Sequence, residues 1–93
     1  MAIFVKDPAA TIDYAIDWSA NFPADQMVTG SMWQVLPNSD DGVAVAAMAI
    51  EPRRTIVTLS GGISGELYHI TNMVTFSDGR SDERTLILRV EDR

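Results

Sequence analysis

Few side chains in this sequence are of the types that do chemistry, and their spacing decides what each of them can do. His69 is the only histidine. General acid or base work would need a positioned partner, and no serine or carboxylate spacing supplies one. The alternation around His69 sets it opposite the apolar parity of Tyr68 and Ile70, on a polar, solvent-facing side. Asp40-Asp41-Gly42 and Asp78-Gly79-Arg80-Ser81-Asp82 gather oxygens of the kind calcium accepts, yet neither has the alternating ligand spacing closed by a bidentate glutamate. Both read as turns, in which aspartate bonds nearby backbone and glycine takes the strained position. Gly61-Gly62-Ile63-Ser64-Gly65 is as glycine-rich as a phosphate loop but has no Lys-Ser/Thr ending and no helix behind it. It reads as a strand connection that needs positive φ. Asp13 and Asp17 share a parity and would pair if that side were enclosed; a charged outer face fits them better. Cysteine is absent, which removes disulfides, thiolate metal sites and a cysteine nucleophile. The residues therefore predict neither catalysis, cofactor nor metal.

The elements that must position these residues are strands. Ile12, Tyr14, Ile16 and Trp18 alternate with Asp13, Ala15 and Asp17, the period of two of a half-buried strand over 11–18. Pro23 interrupts it. Segment 26–36 carries Met27, Trp33 and Val35 on one parity and Val28, Met32 and Leu36 on the other, which predicts a strand bulged near Gly30. After the turn-forming Asn38–Gly42, the alanines of 43–50 would suit a helix. Val43, Val45, Ile50 and the short span before Pro52 favour a strand. Thr55–Ser60 is β-branched and bounded by glycines.

The last third predicts a hairpin of 66–76 and 80–91, whose register can be argued. A two-residue Asp78-Gly79 loop would pair Tyr68 with Arg89 and split the apolar residues between faces. A three-residue Ser77-Asp78-Gly79 loop, with Gly79 left-handed, pairs Tyr68 with Leu88 and Ile70 with Leu86 and collects them on one face. About six to seven strands with turns between them describe an all-β chain, a small antiparallel immunoglobulin-like β-sandwich. Both tryptophans would lie between its sheets. Tyr68 stands where such sandwiches place a corner tyrosine, and a plain core tyrosine is the competing reading.

With 93 residues, 46% of them apolar and 22% charged, the chain has room for one domain. Residues 1–8 read as an N-terminal arm or edge strand and 9–93 as a single β-sandwich domain. Thirteen Asp and Glu against seven Lys and Arg leave a net charge of −6, the wrong sign for binding nucleic acid. No segment approaches the roughly 20 apolar residues of a membrane-spanning helix, and the start is too short for a signal sequence; neither membrane nor secretion is expected.

Lys6-Asp7-Pro8, Asp13-Tyr14, Asp17-Trp18-Ser19, Ser31 and Trp33, then Leu59-Ser60-Gly61-Gly62, Gly65, Tyr68, Thr71-Asn72, Ser77-Asp78-Gly79-Arg80 and Asp82-Glu83-Arg84 form an ordered series of short motifs. In that order they resemble the fibre-tail adaptor proteins of tailed phages. The resemblance spans nearly the whole chain. It implies a virion component of the tail region, made in the bacterial host cytoplasm, with an immunoglobulin-like fold and no catalysis or cofactor. Its partners would be other tail, baseplate or fibre proteins, in multiple copies within a symmetric assembly. The chain departs from the family pattern over Val43–Ile50, where relatives are richer in Thr and Ser, and a more apolar contact surface is expected there.

Open sheet edges invite partners. Ala2-Ile3-Phe4-Val5 is apolar and strand-like, so Ile3, Phe4 and Val5 are the candidate partner contacts; deletion of 1–6 is expected to leave a folded monomer that no longer assembles. A head-side joining, cement or decoration subunit shares all these features. A carbohydrate-binding sandwich would instead display aromatic side chains on one face.

Overall fold

The computed structural model describes residues 3–20 and 25–92. Among them run seven strands: β1 (Ile3–Lys6), β2 (Ile12–Asp17), β3 (Val28–Leu36), β4 (Val43–Glu51), β5 (Arg54–Gly61), β6 (Leu67–Phe76) and β7 (Ser81–Val90). Pro23, expected to interrupt the chain after β2, lies outside the described residues, as do Met1 and Ala2. The strands make two sheets, one in the order β1-β7-β6-β3 and the other β2-β5-β4. Every pairing is antiparallel except that of β1 with β7, which is parallel. The second, fifth and fourth strands in one sheet and the third, sixth and seventh in the other is the immunoglobulin-like arrangement. The expected all-β sandwich is the fold the chain adopts.

The hairpin takes the register that keeps apolar side chains together. Tyr68 pairs with Leu88 and Ile70 with Leu86; Gly79 has φ of 89°, and Phe76 donates its N–H to Arg80 O at 2.8 Å to close the Ser77-Asp78-Gly79 loop. In β3 the register shifts between Val28 and Gly30. That bulge switches parity, so Val28 and, beyond it, Trp33 and Val35 all turn inward. Segment 43–51 is a strand, with a second register shift between Val45 and Ala47. By this shift Val43, Val45, Met48 and Ile50 stand opposite Gly61, Leu59, Val57 and Thr55, all on the inner side.

The core is two apolar clusters joined by a polar link. One holds Val43, Val57, Leu59, Tyr68, Ile70, Leu88 and Val90; the other holds Ile16, Trp18, Val28, Val74 and Phe76. Trp33 and Leu86 pack against both. At their junction Trp18, 0% exposed, donates its indole N–H to Thr55 Oγ1 and Asn72 Oδ1, each at 3.2 Å. Buried Asn72 also accepts from Thr55 Oγ1 at 2.5 Å and donates to Ser31 Oγ at 2.9 Å and Met32 O at 3.0 Å. A buried amide satisfied on both its oxygen and its nitrogen ties the two sheets together at a fixed register.

The β5–β6 connection shows why its glycines are there. Gly61, Gly62 and Gly65 have φ of 72°, 113° and 91°. A Cβ on Gly62 would also come within 2.7 Å of a Val90 methyl and 3.0 Å of a Val43 methyl. Tyr68, buried at the start of β6, accepts the Ile63 N–H on its hydroxyl at 3.0 Å, which makes it the corner tyrosine rather than a plain core residue. Tyr68→Phe keeps the ring and leaves that N–H unpaired; the expected cost is about 1–3 kcal/mol, read as a lower thermal midpoint.

Candidate functional site

The residues with chemical potential are dispersed. Asp13 accepts a hydrogen bond from Thr58 Oγ1 at 2.5 Å. Asp17 accepts from the Ser19 N–H at 2.8 Å and the Ser19 hydroxyl at 2.6 Å, and these bonds hold its carboxyl below the ordinary carboxylate value. Both aspartates are exposed and serve strand and turn geometry. His69 is exposed on the outer side of β6, as its parity requires. Asp40 and Asp41 lie exposed in the turn before β4. Asp78 Oδ1 accepts the Arg80 N–H at 3.0 Å within the hairpin turn.

The candidate contact strand β1 is laid along the edge of β7, with Ile3 opposite Ile87, Phe4 opposite Leu88, Val5 opposite Arg89 and Lys6 opposite Val90. Because strand side chains alternate, Ile3, Phe4 and Val5 do not share a face. Ile3 and Val5, 65% and 40% exposed, point outward. Phe4, 37% exposed, turns toward the opposite sheet and meets the Tyr14 ring edge-on with centroids 5.3 Å apart. Burial in turn raises the Tyr14 hydroxyl above its ordinary value.

Lys6 is the residue that reasoning from charge did not find. It is fully buried, and its ammonium donates to Gly61 O at 2.6 Å and Asp7 O at 2.9 Å. Burial pushes this amine below its ordinary value, with Asp7 opposing the shift. The only sequence signal for it was parity, since Lys6 falls on the same side as Phe4. Asn72 was visible only as one member of the Thr71-Asn72 motif, with nothing in the local pattern to place it at the centre of the core.

On the outer side of the four-stranded sheet the register assembles a surface that no single strand contains. Ile3, Ile87, His69 and Leu36 stand side by side across β1, β7, β6 and β3. Val5, Arg89 and Leu67 form the next row. Ile3, Val5, Leu36 and Leu67 are among the exposed large apolar residues. The one charged residue in the two rows, Arg89, is ion-paired with Glu91 at 3.4 Å. Contiguous exposed apolar surface of this kind marks protein contacts.

No curated protein matches the chain. A family profile described as Podophage GP4 fiber-tail adaptor protein gp77 matches residues 6–89. That span takes in the strands from β2 to the greater part of β7 and includes Lys6, Trp18, Tyr68 and Asn72. With the match covering almost the entire sequence, the chain belongs to this family of phage fibre-tail adaptors, structural proteins of the virion tail.

Proposed function

We propose that the protein is a non-catalytic connector that joins a tail fibre to the tail or baseplate through protein–protein contacts, present in multiple copies. One seat for a partner is the outer side of the four-stranded sheet around Ile3 and Val5. The observation that carries this reading is the unbroken row Ile3, Ile87, His69 and Leu36, flanked by Val5 and Leu67. Apolar side chains held on a rigid sheet can dock with little ordering cost, and the Arg89–Glu91 ion pair gives the surface a polar rim. A sugar-binding reading has less support. The indole of Trp18 is enclosed and its N–H already bonded to Thr55 and Asn72.

The seat is tested with the double variant Ile3→Asp/Val5→Asp, which alters the outward residues and keeps Phe4 and Lys6. The variant is expected to melt within a few degrees of the parent yet to enter particles at least ~10-fold less efficiently when supplied in trans to a phage lacking the gene. Asp13→Lys, on the other sheet, serves as control and is expected to incorporate normally. Normal incorporation of the double variant would place the seat elsewhere.

A further inference from the structure

The turn that follows β1 holds a polarised peptide bond. Asp7-Pro8 is the only Asp-Pro pair in the sequence. Its carbonyl oxygen, Asp7 O, accepts two hydrogen bonds, from the Lys6 ammonium at 2.9 Å and from the Ala10 N–H at 3.0 Å. The ammonium is fixed in place, since Lys6 is fully buried and also donates to Gly61 O at 2.6 Å. The Lys6 carbonyl in turn accepts the Glu91 N–H at 2.9 Å. A cation and an amide therefore already stand where negative charge would grow if the Asp7 carbonyl were attacked.

The attacking group belongs to the same residue. Asp7 Oδ1 accepts the Ala9 N–H at 2.8 Å, the Asx turn that folds a carboxylate back over its own backbone carbonyl. A nucleophile held in this way needs no encounter with its target. Pro8 supplies the leaving group, a secondary amine whose nitrogen carries no hydrogen in the chain. Asp7 and Pro8 are only half-buried, so solvent reaches the bond.

We propose that the protein cuts its own chain between Asp7 and Pro8. An oxygen of the Asp7 carboxylate bonds to the Asp7 carbonyl carbon, while the Lys6 ammonium and the Ala10 N–H stabilise the oxyanion. The C–N bond to Pro8 then breaks and its electron pair leaves on the proline nitrogen, which takes a proton from solvent and becomes a new N-terminus. Water opens the cyclic anhydride left on Asp7. One water is consumed in all, and Asp7 ends with its side-chain carboxyl restored and a free α-carboxyl.

The cut detaches a segment that the fold still holds. β1 keeps its pairing with β7 and Lys6 its bond to Gly61 O, but Ile3 and Val5 then sit on a peptide that can leave. Its departure would open the β7 edge from Ile87 to Val90 to another strand. Cleavage thus makes one part of the outer seat removable, whichever partner docks there.

Intact-mass measurement on the full-length protein tests this, with samples held in one mildly acidic buffer with and without urea. The native protein is expected to lose the segment ending at Asp7 and to show Pro8 as its new N-terminus. It should do so at least ~10-fold faster than the chain in urea, where the Lys6 and Ala10 donors are no longer positioned. Lys6→Met, its fold checked by circular dichroism, should cleave at least ~10-fold more slowly than the native parent and at near the parental rate in urea. Asp7→Ala lacks the nucleophile and should stay intact in both. The comparison with urea decides the matter whether or not Lys6→Met folds. A native protein that stays whole or cleaves no faster than in urea, a folded Lys6→Met that matches the parent, or cleavage after residue 7 in Asp7→Ala would each overturn the proposal.

Discussion

Trp18→Ala is expected to lose about 3–5 kcal/mol of stability, the largest effect of any single substitution considered. The indole is wholly buried, meets Phe76 edge-on with centroids 6.1 Å apart and lies 4.9 Å beneath the Arg84 guanidinium. Its N–H feeds Thr55 and Asn72, and Asn72 in turn holds Ser31 and Met32. The substitution therefore opens a cavity and also loosens the polar link between the sheets. A domain of this size has roughly 5–14 kcal/mol in total, so much of its margin disappears and the thermal midpoint should fall by more than about 12 °C. Trp18→Phe retains most of the volume and removes only the N–H, for an expected cost of about 1–3 kcal/mol. Melting curves that place both variants near the parent would show that the Trp18–Thr55–Asn72 link is not what joins the sheets.

The second large effect concerns the N-terminal strand. Deletion of residues 1–6, read from sequence as harmless to the fold, is expected to cost at least about 3 kcal/mol, because two separate contributions are lost. The Lys6 ammonium no longer satisfies Gly61 O and Asp7 O, and Leu88 and Val90, buried beside β1, gain exposure at a new sheet edge. The Phe4–Tyr14 contact across the sheets goes as well. In a thermal melt the truncated protein should unfold at least about 12 °C below the parent. Comparison with Ile3→Asp/Val5→Asp separates two roles for one strand. The double variant should keep the fold and lose incorporation, whereas the truncation should weaken both. A truncation that melts with the parent would show β1 to be an appended arm.

Much of the fold was legible because strands and turns leave local marks. Alternation over Ile12–Trp18 identified a half-buried strand and put Asp13 and Asp17 outside. Apolar residues on both parities of 26–36 indicated the bulge in β3, since only a switch of parity lets Val28 and Trp33 share a core. The hairpin register followed from requiring Leu86 and Leu88 to join Ile70 and Tyr68, and the loop geometry at Gly79 agreed. Sequence leaves Tyr68 either a corner or a plain core tyrosine, and the Ile63 N–H on its hydroxyl makes it the corner residue.

The candidate surface was legible only in outline. Ile3, Phe4 and Val5 stood out as an apolar run, but a run does not say which neighbour it lies beside. Its parallel pairing with β7 divides the three, sending Phe4 inward and leaving Ile3 and Val5 to join Ile87, His69 and Leu36. Those partners come from strands far apart in the chain.

Segment 43–50 was read as a strand with an apolar surface. That it is an edge, bare on its inner side, depends on the order of strands in the sheet. Sequence by itself determined the period, the turns and the family, because backbone sterics and side-chain alternation act within a few residues. The tertiary structure alone decided that Lys6 is buried, that Asn72 sits at the junction of the two clusters and that β4 is open. Each of those depends on which distant strand lies alongside, and the free energy that selects the neighbour comes from burial and hydrogen bonding summed over the whole sandwich.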